Sequence, residues 1–234
     1  MGNAVIIAAA GHGRRMQRKK NKQYLPLLGR PLLYYSLAAC FQAACFSQVV
    51  VAVAPGEEEI FRREVLLPFF PGQDITVVAG GRERQDSVRY GLAVLAADAG
   101  YVCVHDGARP LVTADLIIKC LDAAKKYGAA VAAVPVKDTI KVADKDGRVL
   151  DTPGRDSLWA VQTPQVFRRS WLETAHDRAF RDGYYATDDA ALLEYYGYPV
   201  YVTESVYENI KVTTPEDLIL AGILLGERGE DACV

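Results

Sequence analysis

The 234-residue sequence predicts an α/β fold: a single domain built on a doubly wound, mostly parallel sheet with a protruding β-arm. Two observations point to the sheet. Short apolar runs alternate with helix-period patterns from Ala4 to Val134, and no repeat, low-complexity tract or linker divides the chain. A third points to the arm, because the alternation breaks over 136–158, where a hairpin pattern replaces it.

Taken in order, Ala4 to Ala8 is continuously apolar, as in a parallel strand buried on both faces. It empties into a loop holding Gly11 and Gly13, whose bare backbone can approach a ligand closely. Pro31 opens a helix to about Ala44, with Leu32, Leu33, Leu37 and Phe41 at core spacing. Val49 to Val53 is the second strand, and Glu57 to Leu67 a helix stopped by Pro68 and Pro71. Ile75 to Ala79 is the third strand, ended by Gly80-Gly81 and followed by a helix from about Asp86 to Ala97. Tyr101 to His105 is the fourth, Thr113 caps a helix to Tyr127, and Ala129 to Val134 is the fifth.

Within 136–158, Thr139 to Val142 alternates, Asp146-Gly147 supplies a turn, and Arg148 to Thr152 resumes extended. A lone two-stranded ribbon is marginal in water, so this arm is expected to pack on a second copy of the chain. Helices follow at Arg169–Arg181 and Asp188–Tyr196, then strands at Pro199–Thr203 and Ile210–Val212. Thr214-Pro215 opens the last helix, and the tail after Gly226 is expected to fray.

Composition excludes several classes. Half the residues are apolar and 24% charged, an ordinary globular balance. A formal net charge of -2 gives no reason to expect a nucleic-acid binder. No apolar run approaches the roughly 20 residues that span a bilayer, and nothing at the N-terminus resembles a secretory signal. Five cysteines without a C-x-x-C pair read as reduced, mostly buried thiols, so a cytoplasmic protein is expected.

Against that neutral background, Arg14, Arg15, Arg18, Lys19, Lys20 and Lys22 put six cations within nine residues after the first strand. A strand tip of small residues followed by cations suits a polyphosphate; the alternative is a surface turn with solvated arginines. The loop is neither a dinucleotide fingerprint, since Met16 stands where the third glycine belongs, nor a Walker loop, which needs Gly-Lys-Ser/Thr. Ligands of open parallel sheets sit beyond the carboxyl ends of the strands. Two more such ends are polar and glycine-rich: Gly80 to Ser87, and His105 to Pro110. Ser87 offers a hydroxyl to a base or ribose, or else it or Asp86 caps the next helix. Asp106 sits where a divalent ion carrying phosphates would be held, or else is a turn aspartate. With three scattered histidines there is no metal-site pattern, and His105 reads as a packing residue.

Eight motifs occur in order: Ala8-Ala-Ala-Gly-x-Gly-Arg-Arg-Met16, Lys22-Gln-Tyr24, Gly80-Gly-x-x-Arg-x-x-Ser-Val88, His105-Asp-Gly-Ala-Arg-Pro110, Asp138-Thr-Ile-Lys141, Thr163-Pro-Gln165, Thr187-Asp188 and Asn209-Ile-Lys-Val212. Together, from about residue 4 to 225, they resemble the 2-C-methyl-D-erythritol 4-phosphate cytidylyltransferases of the non-mevalonate isoprenoid pathway. Asn21 departs from the family's usual proline before Lys-Gln.

The resemblance implies a Rossmann-like nucleotidyltransferase, homodimeric through the arm, that joins CTP to a polyol phosphate with Mg²⁺ or another divalent cation. It assigns Arg15 and Lys22 to catalysis, bracketing the α-phosphate. Ala10, Gly11, Gly13, Gly81, Ser87 and Asp106 fall to the nucleotide, with Asp106 also the metal contact. Arg109, Thr139, Arg155, Thr163, Thr187 and Lys211 fall to the acceptor, and Thr139 and Arg155 are placed to serve the neighbouring subunit. Rival readings are a ribitol 5-phosphate or related polyol-phosphate cytidylyltransferase and a non-catalytic nucleotide-binding regulatory domain.

Overall fold

The computed structural model describes residues 2–11 and 21–229. Two expected site residues, Gly13 and Arg15, lie outside the described residues, as does the end of the expected frayed tail. The chain opens with β1 (Gly2–Ala9). After a 3-10 turn at Lys22–Tyr24 come a short antiparallel pair, β2 (Pro26–Leu27) and β3 (Arg30–Pro31), then α1 (Leu32–Gln42) and β4 (Gln48–Val53). A continuous helical segment joins α2 (Glu58–Phe61), a π-helical stretch at Arg62–Leu66 and α3 (Leu67–Phe69). Next are β5 (Ile75–Ala79), α4 (Arg84–Leu92), β6 (Ala99–Asp106), α5 (Ala114–Tyr127) and β7 (Ala129–Pro135). The arm carries β8 (Val142–Ala143) and β9 (Val149–Asp151). The chain closes with β10 (Trp159–Arg168), α6 (Arg169–Asp182), α7 (Asp189–Tyr195), β11 (Tyr201–Glu204) and α8 (Pro215–Glu227).

One seven-stranded sheet, in the order β11-β7-β10-β6-β1-β4-β5, carries the fold. Only β10 runs antiparallel to its neighbours. Alternate residues of β1 feed opposite cores: Val5 and Ile7 pack with α1 and α5, Ala4 and Ile6 with α4, α6 and α7. The doubly wound architecture expected from the alternation is therefore present.

Local signals held where they were strongest. The side chains of Thr113 and Asp188 accept the N–H groups of Leu116 and Ala191, and Thr214 forms a reciprocal capping box with Asp217. In the arm, Asp144 Oδ1 accepts the N–H groups of Asp146 and Arg148, and Gly147 has a positive φ of 84°.

Four expectations need correction. Pro31 precedes the first helical residue of α1 and is not its first turn. Pro68 does not stop its helix, because Leu67 N–H bonds to Arg62 O, five residues back, and this wider turn lets the chain pass the proline. Neither Asp86 nor Ser87 begins α4: Glu83 is the cap, and its N–H donates to Asp86 Oδ2 at 3.1 Å. Residues 210–212 are not a strand; the segment is pinned by Val212 N–H donating to Ala108 O at 2.8 Å.

The sequence pattern assigned no element to β10. Its centre, Gln162-Thr-Pro-Gln165, is polar and holds a proline, which reads as a loop. The ladder with β7 shifts register between Val161 and Gln165, so the proline falls where pairing is interrupted.

Candidate active site

From β1 the chain winds outward through β4 to β5, then returns to place β6 on the other flank of β1. The strand order thus reverses between β1 and β6, where an open α/β sheet leaves a crevice at its carboxyl edge. Ala8 and Asp106 are paired across that junction. A cavity of about 370 Å³ opens there, floored by Ala8, Ala10, Gly11 and Ala108 and walled by Lys22, Gln23, Gly81, Arg82, Glu83, Arg84, Ser87, Asp106 and Lys211.

The glycines of the β5 loop are required by close packing. A Cβ on Gly80 would lie 2.3 Å from Ala10 Cβ, and one on Gly81 2.2 Å from Asp86 Cβ. Gly81 N–H donates to Ser87 Oγ at 3.0 Å, and Ser87 in turn donates to Glu83 O at 3.1 Å. This loop is therefore held flat against the end of β1, facing the cavity.

Asp106 is the electrostatic centre. Its Oδ1 accepts from Arg84 Nε at 3.0 Å, its Oδ2 lies 2.7 Å from Lys211 Nζ, and Arg109 Nε is 3.8 Å from Oδ2. Burial opposes its ionisation, but the three cations outweigh burial and hold the carboxyl well below the usual carboxylate range. Thr163 Oγ1 accepts the Asp106 N–H at 3.0 Å and lies 3.0 Å from His105 Nδ1. Burial lowers the His105 pKa to about 3, so this imidazole is neutral and serves packing, as the sequence suggested.

Lys22 reaches across from the 3-10 turn, and its Nζ donates to Val212 O at 2.9 Å. Arg109 is buried behind the cavity, donating from Nη1 to Asn209 O at 2.7 Å. Asn209 in turn donates to Gln162 Oε1 and Thr163 O.

Of the expected residues, the structure brings Ala10, Gly11, Gly81, Ser87, Asp106, Lys22 and Lys211 into one cavity. Arg109 and Thr163 stand behind it, supporting Asp106. Thr187 lies on the rim, in an adjoining cleft with Glu83, Arg84 and Asp189. Thr139 and Arg155 do not reach the cavity: both are exposed in the arm, where Arg155 Nη1 donates to Lys137 O at 2.8 Å. Sequence reasoning gave no role to Arg84, although it is the arginine of the Gly80-Gly-x-x-Arg motif. Its strand-end position was the available signal.

No three His, Cys, Asp or Glu residues cluster as a metal site among the described residues. Two carboxylates, Asp106 and Glu83, face the cavity. That donor set fits a hard divalent ion carried in on phosphate oxygens and touched by one or two carboxylates, not an ion held by protein alone.

A crevice at the strand-order reversal, lined by glycine backbone and by cations gathered on one carboxylate, defines a Rossmann-like protein built to bind phosphorylated ligands. The profile of the family IspD, 2-C-methyl-D-erythritol 4-phosphate cytidylyltransferase, matches residues 3–227, and the chain belongs to that family. A relative with that name from Pelotomaculum thermopropionicum is 49% identical, over 96% of this chain and 94% of its own. Another from Caldanaerobacter subterraneus subsp. tengcongensis is 45% identical over 96% and 99%. The crystal structure of 4-diphosphocytidyl-2C-methyl-D-erythritol synthase from Anaerococcus prevotii superposes with a TM-score of 0.84 at 30% identity, covering 96% of this chain and 98% of its own.

Proposed function

We propose that this chain transfers a cytidylyl group from CTP to 2-C-methyl-D-erythritol 4-phosphate, giving 4-diphosphocytidyl-2-C-methyl-D-erythritol and pyrophosphate. The observation that carries this reading is the gathering of Lys22, Arg84 and Lys211 around one cavity at the carboxyl ends of β1 and β6.

A phosphate monoester has a second pKa near 6 and is a dianion at neutral pH. One of its oxygens attacks the α-phosphorus in line, forming a new P–O bond as the α–β bridging bond breaks and pyrophosphate departs. No general base is needed, which accords with a site whose buried histidine is neutral. The work is to bring two anions together and stabilise charge at phosphorus, which positioned cations do. Lys22, with Arg15 from the family motif, brackets the α-phosphate. Ala10, Gly11, Gly81 and Ser87 receive the nucleoside and phosphates, and Lys211 holds the acceptor phosphate. A bound Mg²⁺ would neutralise triphosphate charge, with Asp106 its contact.

The arm supports a homodimer. Ile140, Val142, Val149 and Leu150 are all exposed on it, and Trp159 and Val161 continue the patch along β10. In such a dimer Thr139 and Arg155 complete the partner's acceptor site. No helix among the described residues is long and apolar enough to cross a membrane, and the thiols of Cys40, Cys45, Cys103 and Cys120 are free, in keeping with work in the cytoplasm.

Pyrophosphate release, measured with CTP and either 2-C-methyl-D-erythritol 4-phosphate or ribitol 5-phosphate, tests the assignment. Turnover with the first acceptor is expected. Turnover with ribitol 5-phosphate alone would move the chain to the rival class, and CTP binding without turnover would make it a nucleotide-binding regulator.

A further inference from the structure

The cavity wall continues inward as a chain of alternating charges. Arg84, in the first turn of α4, gives Nε to Asp106 Oδ1 at 3.0 Å and Nη1 to Asp189 Oδ2 at 2.5 Å. Asp189, the first residue of α7, is 1% exposed, and its Oδ1 lies 3.0 Å from His176 Nε2 of α6. A carboxylate only accepts, so the proton is on Nε2 of a histidine that is itself 1% exposed. The adjacent Asp188 does something different. Its Oδ1 caps α7, and its Oδ2 accepts from Gln165 Nε2 at 2.7 Å.

We propose that Asp189, steadied by His176, is a positioning residue for the acceptor clamp: it holds the Arg84 guanidinium so that Nε alone meets Asp106, leaving the second Asp106 oxygen to Lys211. An arginine and a carboxylate left to themselves favour a bidentate pair. Here Asp189 holds Nη1, so that Nη2, the nitrogen that forks with Nε, stays buried without a hydrogen-bond partner, and Asp106 Oδ2 is shared by Lys211 at 2.7 Å and Arg109 at 3.8 Å. Without Asp189, the guanidinium turns its Nε–Nη2 edge onto both Asp106 oxygens and displaces the Lys211 ammonium. The clamp for the acceptor phosphate is then misplaced, while the glycine floor that receives the nucleotide is untouched. Buried ion ladders rarely stabilise a fold beyond what apolar side chains would, so a role in orientation accounts for this one better than stability does.

This inference rests on the assignment of Lys211 to the acceptor phosphate. The test is steady-state pyrophosphate release by the full chain, varying CTP and 2-C-methyl-D-erythritol 4-phosphate separately. The variants are Asp189→Asn, His176→Phe, His176→Gln and Lys211→Ala, with the first two also combined with Lys211→Ala. Loss of one charge-assisted bond predicts that Asp189→Asn raises the acceptor KM about tenfold or more and His176→Phe roughly threefold, with the CTP KM within about twofold. His176→Gln, which keeps a donor, restores the wild-type value. Once Lys211 is gone, neither substitution adds more than about twofold. An unchanged acceptor KM in folded Asp189→Asn, or an equal penalty without Lys211, overturns the proposal. So does a parallel rise in both KM values. If Asp189→Asn fails to unfold cooperatively, the His176→Phe and His176→Gln pair decides alone. Absence of turnover in the wild-type chain refutes the assigned reaction instead, and the positioning role with it.

Discussion

Lys22 Nζ donates to the carbonyl of Val212 at 2.9 Å, a bond between residues 190 positions apart. It ties the segment after β1 to the segment that carries Lys211, so the two cations assigned to opposite substrates share one wall. Lys22 is only 8% exposed, which keeps its ammonium in a low-dielectric setting where it acts strongly on developing charge.

Replacing Lys22 with Ala is therefore expected to lower kcat by about 10²–10³, the scale for losing one preorganised stabilising donor. Single-turnover measurements at saturating CTP and acceptor check this. An undiminished rate would remove Lys22 from the chemistry.

Acid should unfold the chain in two stages. The folded His105 pKa is depressed to about 3, below its unfolded value near 6.5, so the unfolded state binds the proton first as pH falls. Stability is thus expected to decline from about pH 6.5 toward 3, by roughly 5 kcal/mol from this group. Asp189 is also depressed, to about 2 from an ordinary 3.8, because Arg84 and His176 outweigh the burial that would raise it. Its contribution is full above pH 4 and lost as pH falls through 2, roughly 2 kcal/mol more. Urea midpoints between pH 2 and 8 report the two stages. His105→Asn should flatten the upper one, and Asp189→Asn should lessen the lower one, which Asp106, held further below the usual carboxylate range, shares.

Gly81→Ala should weaken nucleotide binding. The added methyl lands 2.2 Å from Asp86 Cβ, the side-chain atom fixed directly to the first turn of α4, which has no flexible end to yield. The loop must shift by relieving an overlap that costs about 1–3 kcal/mol, so the CTP KM should rise about tenfold with the acceptor KM little changed. Equal KM values in mutant and wild type would mean that the nucleotide does not lie against this loop.

Mixing two inactive variants, Lys22→Ala and Arg155→Ala, should restore part of the activity if Arg155 serves the partner's cavity. Random exchange makes about half of all dimers mixed, and the closed twofold symmetry gives each mixed dimer one intact and one doubly altered site. Activity after mixing, with exchange verified by mass, is the readout. No recovery would return Arg155 to its own chain.

Much of the fold was legible because its signals are local. Apolar runs bounded by glycines marked β1, β4, β5, β6 and β7, and the caps at Thr113, Asp188 and Thr214 need only three or four residues to operate. The strand-end motifs likewise placed Gly81, Ser87 and Asp106 near one another, since a parallel sheet delivers its carboxyl ends to one edge, whereas Lys211 came only from the family resemblance.

Tertiary structure alone decided the rest. β10 is a strand because β6 and β7 leave a gap whose backbone groups must be paired, and this overrides a polar, proline-bearing sequence. The Arg84–Asp189 pair joins residues 105 positions apart, and no period or spacing encodes such a contact. Local hydrogen bonding and burial periodicity are written along the chain, whereas the partner of a buried charge is chosen only when distant elements close around it.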